Sequence, residues 1–118
     1  MDSFEDKYLH CPMYYTMSIF EGKWKWIILW KIYEMKVVRY NKLKDLLKPI
    51  AHKTLSQQLK ELESCCLIHR EQYNQVPPKV EYTLTSDGET LIPILSLMYQ
   101  WGKEHMPNGQ HKILEANT

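Results

Sequence analysis

Glycine is scarce in this chain, with four in 118 residues and no two close together. That leaves no glycine-rich loop to cradle a phosphate or a dinucleotide. Cysteine is nearly as rare. Cys11, Cys65 and Cys66 are too few and too poorly spaced for a disulfide framework. Adjacent Cys65 and Cys66 with His69 lack a fourth ligand and the spacing of a structural zinc site, so neither a metal nor a cofactor is expected. No run of eighteen apolar residues could span a bilayer. The opening Met1-Asp2-Ser3-Phe4-Glu5-Asp6 has neither the basic start nor the apolar stretch of a secretory signal. A cytoplasmic location without membrane contact is therefore expected. Five histidines and three cysteines are present, but no motif joins a nucleophile to a base and an oxyanion site, so no enzyme is expected.

What is abundant is aromatic and apolar surface. Hydrophobic residues make up 44% and charged residues 25% of the chain, the balance of an ordinary globular domain. Four tryptophans and eight tyrosines offer more apolar area than so small a core needs. The excess concentrates at Tyr14, Tyr15, Leu95, Met98, Tyr99 and Trp101, which are expected to form a subunit interface.

Net charge is only +1, but it is unevenly spread. Between Lys36 and Lys60 stand seven cations against the single anion Asp45, a net +6 that leaves −5 for the rest. Such asymmetry marks either a face for a polyanion or a solvated helical surface.

Periodicity organises the chain into one domain over 11–106, with a loose arm at 1–10 and a polar tail at 107–118. A short helix is expected from Tyr14 to Phe20, closed by Gly22. Trp24 to Glu34 is apolar almost all round and predicts a buried helix. A short extended piece, 37–40, leads to a helix over Lys42 to Leu47, capped by Asn41, facing Leu43, Leu46 and Leu47 inward and ended by Pro49. The clearest helix follows. Leu55, Leu59 and Leu62 lie at i, i+4, i+7, with Lys53, Gln57 and Lys60 opposite and His52, Thr54, Ser56 and Gln58 on the flanks. Leu67–Tyr73 and Val80–Leu84 predict two strands joined by the turn Asn74-Gln75-Val76-Pro77-Pro78-Lys79. A final helix is expected from Thr85 or Ser86 to His105, with a Ser86–Glu89 capping box and Pro93 inside it.

The expected class is α+β, mainly helical: two short helices followed by a β-hairpin, the layout of a winged helix-turn-helix. A groove-reading helix must bury one face and show donors and acceptors on the other. Lysine suits guanine, glutamine suits adenine, and Ser or Thr serves either. Lys53, Ser56, Gln57 and Lys60 supply that set, with His52 and Thr54 beside them. Arg39, Lys42 and Lys44 are placed to hold phosphates, and Gln72, Asn74, Gln75 and Lys79 to serve as the wing's backbone contacts. The alternative is a winged-helix module that docks an acidic protein through the same cations.

Several stretches together resemble the HxlR family of bacterial winged-helix regulators, relatives of the MarR type. They are Cys11-Pro12, Gly22-Lys23-Trp24-Lys25, Ile28-Leu29-Trp30, Arg39-Tyr40 with Leu43, Lys53, Leu55, Gln57-Gln58-Leu59 and Glu61-Leu62-Glu63. The most specific is Val76-Pro77-Pro78-Lys79-Val80-Glu81-Tyr82-Thr83-Leu84-Thr85 with Gly88. The resemblance implies a homodimeric repressor or activator on double-stranded DNA, paired through its N- and C-terminal helices. A pseudo-palindromic operator is expected, its half-sites about one helical turn or a multiple apart. It also implies that the 52–64 helix reads the DNA and that the 74–79 tip is the wing. Some relatives of this kind sense oxidants or electrophiles through a cysteine at the place of Cys11, so Cys11 is either the point where an oxidant or small-molecule effector acts or a small, half-buried interface residue. The start of a helix suits a negatively charged group.

Two departures stand out. Lys48-Pro49-Ile50-Ala51 replaces the common Pro-Gly-Ile-Ser, so the reading helix loses its capping hydroxyl, worth about 1 kcal/mol. Cys65-Cys66 replaces Asp-Gly, so a non-glycine must take the left-handed exit or the chain must leave differently.

Overall fold

The computed structural model describes residues 10–107. The expected arm and tail lie outside them, apart from His10 and Pro107. The elements run α1 (Pro12–Ile19), α2 (Trp24–Met35), β1 (Val38–Arg39), α3 (Tyr40–Leu46), α4 (His52–Ser64), β2 (Ile68–Tyr73), β3 (Lys79–Leu84), α5 (Ser86–Glu89) and α6 (Ile92–His105). The three strands form one antiparallel sheet in the order β1-β3-β2. Tyr73 pairs with Lys79 at the hairpin's outer end and Ile68 with Leu84 at its root, while Val38 and Arg39 pair with Tyr82 and Glu81.

The core forms where α2, α3, α4 and the root of the sheet converge. Ile28, Leu29 and Ile32 of α2 meet Leu43, Leu47, Leu55, Leu59, Leu62, Ile68 and Tyr82, all buried. The leucine stripe of α4 is closed off from solvent along its length, and each such side chain contributes about 1.5–3 kcal/mol by leaving water. The second helix is less enclosed than its composition suggests: Ile27 and Tyr33 stay exposed, and Trp24, Trp26 and Trp30 are half-buried. Phe20 stacks on Trp26 and seals the α1–α2 corner.

The helix after β1 begins earlier than Asn41 would cap it. Arg39 occupies the cap position because pairing with Glu81 holds it extended, and Asn41 falls inside the first turn. Leu46 is exposed, whereas Leu43 and Leu47 face the core. The single long C-terminal helix is two helices. Thr85, not Ser86, caps the first, its hydroxyl accepting from Gly88 N–H. The chain then breaks at Thr90–Leu91, and Pro93 sits in the first turn of α6, where its missing N–H leaves no bond unmade. Gly88 permits the break: a Cβ there would stand 2.1 Å from the Leu67 carbonyl oxygen.

Candidate nucleic-acid interface

Helix α4 is held on three sides and open on the fourth. The leucine stripe fixes the inner side. On one flank, the buried Lys25 ammonium of α2 lies 3.2 Å from Glu61 Oε2, and Gln58 Nε2 donates to the same carboxylate oxygen. Thr54 shares this partly covered flank. On the other flank, the Tyr40 hydroxyl is hydrogen-bonded to His52 Nδ1 at 2.5 Å and to Ser56 Oγ at 3.2 Å. The fourth side carries Lys53, Gln57 and Lys60, all exposed.

The N-terminal edge of α4 is unusual. Ala51 takes the extended conformation of a cap residue but offers no side-chain bond. Tyr40 steadies the first turn instead, through the side chains of His52 and Ser56. These two residues, expected on the DNA, therefore already have a partner within the protein, and Tyr40 was not anticipated. At the other end Cys66 adopts the left-handed exit with φ 61°, so the chain leaves the helix as a glycine would, on a residue with a Cβ.

Between α4 and the hairpin lies a cleft of about 490 Å³, lined by Arg39, Tyr40, His52, Ser56, Lys60, Arg70, Val80 and Tyr82, among others. Strand parity explains the wing's contribution. Ile68, Arg70 and Gln72 share one face of β2, with Val80, Tyr82 and Leu84 opposite them on β3. Near the root this face covers the core; farther out it overhangs the reading helix with Arg70, whose guanidinium donates to Gln72 Oε1. Burial raises the pKa of the Tyr82 hydroxyl, and the neighbouring Arg70 charge opposes that shift.

Lys79 lies on the opposite face, away from the cleft. Its ammonium sits 4.6 Å from the Tyr73 ring centre and 3.5 Å from Glu81 Oε2. The carboxylate of Glu81 also accepts from Tyr73 and raises that phenol's pKa. Lys79 is thus a paired, partly buried residue at the base of the turn and not a free cation at its tip. Asn74 and Gln75 are exposed in the turn, where Val76 is the most exposed large apolar residue. Arg39 lines the cleft, and Lys42 is exposed on α3. Arg70 was missed because the wing's polar groups were taken from Gln72 outward, toward the tip. Counting in twos from the buried Ile68 would have found it.

A second surface is apolar. Ile94, Leu97, Met98 and Trp101 form an exposed stripe on α6, while Leu91, Ile92 and Leu95 turn inward. Leu95, expected at an interface, is buried in the protomer's own core. Tyr99 stacks on Trp30 yet stays half exposed. On α1, Met13, Tyr15 and Met17 are exposed and Tyr14 is half-buried. Met13, Met17 and Leu97 are exposed apolar residues that the interface expectation did not include; their helical spacing was the available signal. Cys11 holds the cap position of α1, half-buried, its carbonyl accepting from Tyr15 N–H at 3.0 Å.

Comparison with known proteins places these features. The HxlR-like helix-turn-helix family matches residues 19–110. A proposed regulatory protein of Fusobacterium mortiferum, MalR, is 52% identical over 95 residues, which span 80% of this chain and 90% of that protein. Among solved structures, a transcriptional regulator from Porphyromonas gingivalis assigned to the MarR family superposes with a TM-score of 0.78 at 35% identity, covering 90% of this chain and 98% of that one. The redox regulator HypR in its oxidised form gives 0.77 at 40% identity, covering 82% and 99%. With its winged helix, its open α4 face and this breadth of match, the chain belongs to the HxlR-like helix-turn-helix family of transcription regulators.

Proposed function

We propose that the protein is a DNA-binding transcription regulator that works as a homodimer on a pseudo-palindromic operator. The observation that carries this reading is the outward side of α4: Lys53, Gln57 and Lys60 are exposed and take no side-chain partner among the described residues, and the cleft beside them gathers Arg39 and Arg70. Inserted in a major groove, this side offers one bidentate amide and two cations to base edges. Arg39, Lys42 and Arg70 meet phosphates, and Asn74 and Gln75 touch the flanking backbone.

The exposed stripe of α6 supports pairing with a second copy, as do Met13, Tyr15 and Met17 of α1, because monomers rarely leave so many large apolar side chains in water. Cys11 stands at the head of one of those pairing helices. Oxidation or alkylation of its sulfur would change the packing there and so the spacing between the two reading helices. The 40%-identical HypR, a redox regulator, supports this role. A cytoplasmic location follows from the same reading.

Fluorescence anisotropy on duplex DNA across a salt series, combined with sedimentation, tests the reading. A dimer is expected whose affinity falls steeply with salt. Lys53→Ala and Gln57→Ala should reduce preference for the operator more than affinity for random duplex. Salt-independent or undetectable duplex binding by a folded dimer would overturn the DNA reading and favour an acidic protein partner instead.

A further inference from the structure

Two thiols stand side by side where the reading helix ends. Cys65 is the C-cap of α4 and Cys66 follows it in the left-handed conformation; both are free and exposed. Their backbone N–H groups donate to Glu61 and Glu63 carbonyls, but neither thiol takes a hydrogen-bond or ion-pair partner among the described residues. The two α-carbons are one peptide apart, about 3.8 Å. That is shorter than the separation a relaxed disulfide needs. An atom inserted between the sulfurs relieves this limit by lengthening the bridge.

We propose that Cys65 and Cys66 form a two-thiol binding site for trivalent arsenicals. The chemistry is condensation without electron transfer. Each thiol displaces one hydroxyl from the hydrated arsenical, two As–S bonds form, two As–O bonds break, and two waters leave with the thiol protons. Arsenic remains trivalent throughout.

The turn is wired to the rest of the domain. Thr85 donates its hydroxyl hydrogen to the Cys66 carbonyl at 2.6 Å, and Thr85 N–H donates to the Leu67 carbonyl at 3.1 Å. The same hydroxyl oxygen caps α5 by accepting from Gly88 N–H. Closing a ring across residues 65 and 66 alters the left-handed exit and pulls on this clamp, which joins the end of α4 to β2 and α5.

The test uses full-length Cys11→Ser protein, so that only the paired thiols remain, titrated with phenylarsine oxide. Intact-mass spectrometry is expected to show one arsenical per protomer with loss of both free thiols. A dithiol such as dimercaptopropanol should remove it, while excess glutathione should not. Cys65→Ser and Cys66→Ser, each added to Cys11→Ser, should both lose the adduct. Retention of a glutathione-resistant adduct in either variant, or no adduct on the paired thiols, would overturn the site. In the same Cys11→Ser protein, the adduct is expected to weaken binding to a random duplex at low salt by about fivefold, the lower end of ordinary coupling between linked sites. An adduct that leaves duplex affinity unchanged would overturn the link to the reading helix.

Discussion

Replacing Ala51 with serine is expected to stabilise the protein, and replacing it with aspartate is expected to do so while weakening DNA binding. Ala51 already has φ −77° and ψ 150°, the extended geometry of a cap, and its carbonyl already accepts from Leu55 N–H at 3.0 Å. No backbone change is needed for a serine hydroxyl to accept from Lys53 or Thr54 N–H. Tyr40 does not substitute for this bond, because it engages side chains of the first turn and not those N–H groups. A cap hydroxyl in place of alanine is worth about 1 kcal/mol. For a domain of this size that raises Tm by about 4–8 °C. Aspartate gives a similar gain with the helix dipole in its favour. It also sets a negative charge beside Lys53, at the edge of the face offered to phosphates. One such charge opposes binding by about 1 kcal/mol, roughly fivefold in affinity. Thermal denaturation and duplex anisotropy on both variants provide the check. An unchanged or lowered Tm for Ala51→Ser would refute the uncapped start of α4, and equal DNA affinities for the two variants would refute its place against the duplex.

Further outcomes follow from other contacts. Glu61→Ala leaves the buried Lys25 ammonium without its partner; because Glu61 itself is half open to solvent, the expected loss is about 2–3 kcal/mol in urea unfolding, below that of a fully buried pair. A loss under about 0.5 kcal/mol would mean that water already satisfies Lys25. Gly88→Ala drives a Cβ into the Leu67 carbonyl and forces backbone apart, so a loss of about 3 kcal/mol or more is expected by the same measurement; a near-neutral variant would show that α5 and β2 separate freely. Arg70→Ala should weaken binding to all duplexes and reduce the salt slope by about one. Lys79→Ala should change that slope much less, since Glu81 already neutralises its charge; equal effects would refute the assignment of faces on the hairpin.

Much of this was legible in the chain because local and long-range demands agreed. The buried side of helix α4 could be read from its leucines, Pro49 ends the helix before it, and the span His52–Ser64 matches the one the family resemblance implied. The hairpin was equally plain from two extended runs around Val76-Pro77-Pro78. What escaped depended on pairing between distant segments. Asn41 is a better cap by type than Arg39, but β1 pairs with β3 and fixes the extended residue two residues earlier. The break between α5 and α6 follows from the close approach of Gly88 to Leu67, twenty-one residues away, which no helical period reveals. Lys79 was read as a wing contact from its position near the tip; its pairing with Tyr73 and Glu81, on the face away from the cleft, is not legible from position in a turn. The same holds for Leu95, an interface candidate by composition that lies in the core by helical phase.

The way α4 is held also bears on what it can read. Leucines beneath, Lys25–Glu61 on one flank and Tyr40 on the other leave the helix little freedom to roll. His52 and Ser56, both expected on the DNA, are hydrogen-bonded to Tyr40 in the folded protein, which steadies the start of the helix. The α4 side chains left without a partner among the described residues are Lys53 and Gln57, with Lys60 beside the cleft, and these are the ones proposed to discriminate sequence. A helix that cannot roll transmits any displacement of its ends as a rigid shift. If the protein pairs as proposed, the apolar residues of α6 and α1, rather than α4 itself, would set where the second copy's α4 falls along a duplex.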